Sequence, residues 1–353
     1  MGFLNFYISL GLAFFGIAIF WRGRAWERWI AIALAPLAML AHPLGFAWLA
    51  AASAYVALAE AIPRRYQILL VIAAGAVLFA ARYYFWHHDI VQAQDGPLYF
   101  FNGADQLVLF GSRYAIPEFA FLVFVLAALG ADFFSRPWGQ FRWEDYGVPL
   151  QLYVIVCLAV ILLPDGIRFP QQPSSLALLT ERLTSVSAAI LSCLLGAMWP
   201  RKWHLIASGA IAAVFFVFLY QDTAIIDRME TQIERLVRTL SPGERVLGTI
   251  KPFPGSRILI QHILDRACVG HCFSYGNYEP ASGQFRVRTE PNNPRAMFDF
   301  DDTADMEDGT YELQEGDLPA YQVYQCSASG KQLCVRPLQV GEMNDRLGVH
   351  PEE

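Results

Sequence analysis

A chain of 353 residues that is 55% hydrophobic and only 16% charged lies outside the usual range of soluble enzymes, so a water-soluble globular reading is excluded. The formal net charge is −6 and no basic cluster of phosphate-binding type occurs, which leaves no footprint for nucleic acid. The charge is unevenly placed: residues 222–353 hold 21 acidic and 13 basic residues, net −8, whereas the part before them stands at +2.

Crossing roughly 30 Å of hydrocarbon takes about 20 helical residues, and apolar runs of that order recur from the start of the chain. The first is Phe3–Phe20, followed at once by WRGRAWER (21–28) and preceded by no Lys or Arg. A cleaved signal peptide carries its positive charge before the apolar core, so this run reads as a retained span with its N-terminus outside. The run Ile30–Ile62 would be about 50 Å long as one helix, too long for ordinary tilt. His42-Pro43 is the breaker within it, with Gly45 close by, and predicts a tight turn between spans at about 28–41 and 44–62. Further spans are predicted near 67–81, 116–133, 148–163, 184–199 and 204–221, eight in all.

Alternate loops are short and basic: WRGRAWER, PRRY (63–66), RPWGQFR (136–142) and PRKW (200–203). The other set, formed by the His42-Pro43 turn, the 82–115 loop and the 164–183 loop, carries four Arg over a much greater length. Lys and Arg of short loops stay cytoplasmic, so both sets predict an N-terminus and a 222–353 tail on the outer face. In a bacterium that is a multi-pass inner-membrane protein with a periplasmic tail. The expected fold class is a polytopic α-helical membrane protein, with a transmembrane domain over 1–222 and an extracytoplasmic α+β domain over 223–353.

In the tail, IIDRMETQIERLVRTL (225–240) places Ile226, Met229, Ile233, Leu236 and Leu240 near one face of a helix that stops at Ser-Pro-Gly (241–243). Arg245–Ile250 reads as a strand, Ile258–Ala267 as a helix, Gln284–Thr289 as a strand, and Tyr321–Gln325 with Gln332–Arg336 as a hairpin. The acidic run DFDDTADMEDG (299–309) reads as a solvated loop, since its spacing does not follow the twelve-residue calcium loop.

Cys157 and Cys193 lie in spans as small apolar side chains, whereas Cys268, Cys272, Cys326 and Cys334 all fall in the tail. An even number in an oxidising compartment predicts disulfides, with three pairings open. Cys326 and Cys334 flank a hairpin turn and are the preferred pair, which leaves Cys268 with Cys272. A metal site from Cys268, His271 and Cys272 of CVGHC lacks a fourth ligand, and no metal or cofactor is expected.

The spans hold almost no ionisable groups at mid-depth, and no halves with matching interrupted helices recur, which disfavours a transporter or channel. The loop RYYFWHHDIVQAQDGPLYFFNGADQLVLFGSRYA (82–115) is dense in aromatic rings, suited to a segment lying on the membrane surface. It also offers Asp89, Asp95 and Asp105 as candidate general bases, and His87, His88 and Arg113 as candidate ligands of a lipid headgroup. Asp165, Arg168 and Arg182 of the second outer loop can complete a headgroup pocket, or simply cap and stop the neighbouring helices. His42 is a further candidate, against the plainer reading of a helix-end histidine bonded to backbone.

The opening GFLNFYISLGLAFFGIAIFWRGR, the AHPLGFAWL turn and the exit LVRTLSPGERVLG resemble the C-terminal part of polytopic membrane glycosyltransferases of the GT-C type. The resemblance implies many spans, a lipid-phosphate-linked sugar donor at the outer face and a periplasmic C-terminal domain. Members of that class keep their catalytic acid in the first large outer loop, after the first span. Here the first outer turn is only His42-Pro43, so no residue is carried over as that base. The expectation is therefore a rear part of such a protein, or a relative that has lost transfer.

Two functions follow from different classes. The first is a glycosyltransferase-like membrane protein binding a polyprenyl-phosphate-linked sugar. The alternative is a non-catalytic membrane subunit or assembly protein whose tail docks a periplasmic or membrane protein partner. Membrane lipids surround the protein in either case.

Overall fold

A computed structural model describes residues 4–88, 90–92, 103–107, 111–135, 143–168, 175–176, 178–196, 201–250, 261–274, 276–279, 287–290, 293, 295–296, 311–327 and 332–340. Among these, eight long helices follow the apolar runs: α1 (Leu4–Arg22), α2 (Ala25–Ala41), α3 (Pro43–Ala61), α4 (Gln67–His88), α5 (Ala115–Ser135), α6 (Trp143–Leu162), α7 (Leu179–Gly196) and α8 (Lys202–Val237). Among the described residues, six helices are long and apolar enough to cross a membrane by length and composition; α2 has 17 residues, and the apolar part of α6 is Tyr146–Leu162. The chain is thus a mainly helical protein with several long apolar helices and a small sheet, which is compatible with a helical membrane protein.

Of the boundaries that differ from expectation, three trace to a missing breaker. RYYFWHH contains neither Gly nor Pro, so α4 runs on to His88 through the start of the expected loop. TERL continues the apolar periodicity of the following run, so α7 begins at Leu179. Between Asp222 and Ile225 only Thr223 and Ala224 intervene, and α8 passes without a break from the apolar stretch into the polar one, 36 residues in all.

The chain divides into two compact units, residues 1–106 with 120–208, and residues 107–119 with 209–353. In the first, α1 packs on α2 and α3, α4 on α6, and α6 on α7. Phe6, Leu10, Ala13 and Ile17 recur at helical spacing on α1 and are buried with Ala38, Leu49, Ala52, Tyr55, Val156, Val186 and Ile190. The α2–α3 connection is a single residue: His42 adopts φ −165° and ψ 130° as the cap of both helices, and Pro43 opens α3, where its missing N–H costs no helical bond. The helices touch closely here, because Ser9 Oγ of α1 donates to Ala38 O at 2.7 Å and His42 O at 2.9 Å, with Gly45 of α3 facing Ser9. Farther along, Tyr55 Oη donates to Gln151 Oε1 (2.7 Å), Gln151 Nε2 to Gln67 Oε1 (3.1 Å) and Gln67 Nε2 to Ala59 O (2.7 Å). This chain of amides joins α3, α6 and α4 in apolar surroundings. Outward faces are as apolar as inward ones, with Ile32, Leu40, Ile72, Phe79 and Leu126 all exposed. Such helices suit a hydrocarbon solvent.

In the second unit, strands β4 (Arg245–Thr249), β7 (Ala320–Gln325) and β8 (Leu333–Pro337) form a sheet in the order β4-β7-β8. β4 pairs parallel with β7, Arg245 opposite Ala320 through Thr249 opposite Tyr324, and β7 pairs antiparallel with β8. A short helix α9 (Gln261–Cys268) and a two-stranded pair, β5 (Tyr278–Glu279) with β6 (Val287–Arg288), complete the described part. Met229, Ile233 and Val237 of α8 pack into one core with Val246, Leu247, Leu264, Leu313, Val323 and Leu333. The remaining strands, β1 (Ile90–Gln92), β2 (Gly166–Arg168) and β3 (Ser175–Leu176), belong to the first unit. The acidic run 299–309 lies outside the described residues.

Candidate functional site

At one end of the first unit the two long loops meet. β1 leaves the end of α4 and pairs antiparallel with β2, Ile90 opposite Arg168, and β2 pairs antiparallel with β3, Arg168 opposite Ser175. Backbone bonds thus join the 82–115 and 164–183 loops. Ile167, at the centre, is 2% exposed.

The second loop then turns into α7 through Leu178, whose φ of 55° is uncommon for a side chain without local hydrogen bonds of its own. Asp165 fixes this turn: its carbonyl accepts from Leu179 N at 2.9 Å and its carboxylate Oδ1 from Thr180 N at 3.2 Å. Two otherwise unpaired amides at the head of α7 are thereby satisfied, so Asp165 caps the helix.

The first loop lies against the same two turns of α7. Gly103 has φ 72° and sits so close that an added Cβ would stand 2.3 Å from Ala188 Cβ and 2.6 Å from Thr184 O, hence only glycine fits. Gln106 Nε2 donates to Glu181 O (3.1 Å) and Thr184 Oγ1 (2.9 Å), and its Oε1 faces Tyr7 Oη at 3.5 Å. Asp105 lies between them in the helical turn Ala104–Leu107, and its side chain lies outside the described residues.

Arg182, one turn into α7, lies over the Phe6 ring with Cζ 5.8 Å from its centroid, and His42 meets the same ring edge-on at 5.5 Å. Phe6 is therefore shared by a guanidinium and an imidazole. His42 Nδ1 accepts from Leu44 N at 3.2 Å, which leaves the ring proton on Nε2. Burial, and then the charge of Arg182, lower the His42 pKa, which favours the neutral ring.

The other candidates fall elsewhere. Asp89 and Asp95 lie outside the described residues, as does the side chain of Arg168. His87 and His88 end α4 exposed, with Nδ1 atoms 2.7 Å from Tyr83 O and 3.0 Å from Tyr84 O, and each ring lies on the tyrosine four residues back. Arg113 belongs to the second unit, where its Nη2 pairs with Asp222 and also donates to Phe218 O at 3.0 Å, while Nη1 donates to Gln221 Oε1 at 3.0 Å. Cys268 stands at bonding distance from Cys272, and Cys326 from Cys334, so their sulfurs are engaged with each other. His271 Nε2 meets Leu240 O at 3.1 Å.

Sequence reasoning did not single out Phe6, Tyr7 or Gln106. The two rings are indistinguishable from other apolar positions of α1, and Gln106 is one of several amides in its loop, so neither carried a signal of its own. No protein-family model matches the chain, and no curated protein or solved structure matches it.

Proposed function

We propose that the chain is a glycosyltransferase-like integral membrane protein that binds a polyprenyl-phosphate-linked sugar at the outer face of a bacterial inner membrane. The observation that carries this reading is the seating of the Asp105-bearing turn on the same two turns of α7 that present Arg182 beside His42 and Phe6. A guanidinium and a neutral imidazole N–H suit a phosphate, the planar fork of Arg binding it in two places. A carboxylate held within the same loop suits the removal of a proton from an acceptor hydroxyl as that oxygen attacks the anomeric carbon and the lipid phosphate leaves. The apolar outer faces of the helices suit the polyprenyl chain.

A photoreactive polyprenyl phosphate offered to the protein in nanodiscs tests the site. Crosslinking is expected in the wild type, with apparent affinity about 10- to 100-fold weaker in Arg182→Gln, the range for one hydrogen-bonded charge of about 1.5–3 kcal/mol. Arg182→Lys should fall between the two. Equal binding by wild type and Arg182→Gln would remove Arg182 from the site. Absence of binding in all three would leave the alternative, a membrane subunit whose C-terminal domain docks a protein partner. Asp89→Ala, Asp95→Ala and Asp105→Ala, assayed with a lipid-linked sugar, then identify the base.

A further inference from the structure

The buried positions of α8 are Asp222, Met229, Ile233 and Val237, spaced by seven, four and four residues and therefore on one face of the helix. Three of them enter the core of the β4-β7-β8 domain. The fourth is a carboxylate, 9% exposed, about 10 Å farther up the same stripe. Asp222 is occupied on both oxygens: Oδ1 pairs with the Arg113 guanidinium, and Oδ2 accepts from Tyr114 Oη at 2.8 Å. Arg113 spends its other contacts on Gln221 Oε1 and Phe218 O, and its Cζ lies 5.0 Å from the Phe218 centroid. Tyr114 is completely buried, its ring edge-on to Phe215 and Phe218 at 5.9 Å each. Two consecutive residues at the end of the 82–115 loop thus direct every one of these bonds onto about two turns of a single helix.

A buried carboxylate left alone is costly, so breaking one partner weakens the whole group. A continuous helix also transmits rotation and axial shift along its length, because its hydrogen-bonded backbone does not stretch. The loop end and the C-terminal domain are two loads on one rigid stripe.

We infer that Arg113, Tyr114 and Asp222 form a latch that couples the end of the 82–115 loop to the C-terminal domain through α8, so that a displacement of that domain repositions residues 111–114. The latch makes the C-terminal domain a regulator of residues 111–114, independently of any ligand.

The test is maleimide labelling of Ser112→Cys, an exposed position beside the latch, in a background with Cys157 and Cys193 replaced by Ala. Asp222→Asn is expected to speed labelling about tenfold, equivalent to about 1.4 kcal/mol. Tyr114→Phe keeps the ring packing, loses one hydrogen bond and is expected to give about threefold. Ile233→Ala, in the domain core and remote from residue 112 in sequence, should also speed labelling, while Asp222→Glu should not. Wild-type rates in both Asp222→Asn and Tyr114→Phe would overturn the latch. If Ile233→Ala loosens residues 229–240 in hydrogen exchange yet leaves the labelling rate at position 112 unchanged, the coupling is refuted. Should Asp222→Asn fail to accumulate, Tyr114→Phe and Ile233→Ala decide the matter alone. None of these readouts uses lipid-linked sugar, so their failure is separable from failure of the proposed function.

Discussion

Replacing Gly45 with Ala tests the close approach of α1 and α3 that supports His42. A Cβ built at Gly45 stands 2.0 Å from Ser9 Oγ, 2.6 Å from Ser9 Cβ and 2.9 Å from Ser9 C. The last two atoms belong to or adjoin the backbone, so a rotamer change of Ser9 does not relieve the clash and the helices must separate. Overpacking of this kind costs about 1–3 kcal/mol. Loss of the Ser9 O–H bond, whose one proton is shared between Ala38 O and His42 O, adds about 0.6 kcal/mol, the value typical of hydrogen bonds between membrane helices. The helix propensity gained on going from Gly to Ala returns about 1. The net expectation is a destabilisation of about 1–3 kcal/mol, measured by detergent-titrated unfolding in bicelles. Gly11→Ala is the control, because an added methyl there meets nothing within 4 Å and only the propensity gain remains. Equal stability of Gly45→Ala and wild type, or an equal loss in Gly11→Ala, would refute the close packing.

Two further outcomes are expected. Burial and the charge of Arg182 lower the His42 pKa from its ordinary value of 6.5, so below that value the unfolded chain binds the proton more readily than the folded one. Stability should therefore rise with pH up to about 6.5, level off above it, and lose that slope in His42→Gln; a slope of opposite sign, in unfolding followed from pH 5 to 8, would contradict the neutral ring. Ile233→Ala removes a side chain that is 0% exposed and should destabilise the C-terminal domain by about 2–5 kcal/mol. Hydrogen exchange of β4, β7 and β8 reads this directly, and a change under about 1 kcal/mol would place Ile233 outside the core.

The helical runs were legible because burial in lipid and in protein both demand apolar residues, so length alone marks them. The His42-Pro43 break was legible for a local reason, the proline and the extended residue before it. The β7–β8 hairpin announced itself by alternation around SASGK, whereas the pairing of β4 with β7 had no such signal, since parallel partners far apart in sequence leave no local trace. The continuity of α8 was hidden because composition changes at Asp222 while helix propensity does not. At the candidate site the polar residues and the grouping of Asp165 with Arg182 were visible, but the shared Phe6 ring and the place of Arg113 were not. Asp165 and Arg182 gather around α7 through the turn at Leu178, and Arg113 is drawn away to Asp222, a residue more than a hundred positions later.

The parallel pairing of β4 with β7 also sets an order of events during synthesis. β4 is buried along its whole length and bonds the backbone of Phe273 on one edge, yet its partner on the other edge begins at Ala320, so a nascent chain carries that edge unpaired through the making of some seventy further residues. Such a strand is a template for wrong pairing until β7 arrives and β8 folds back on it. The C-terminal domain is thus assembled from its far end, and a product ending before Ala320 has no route to a closed core.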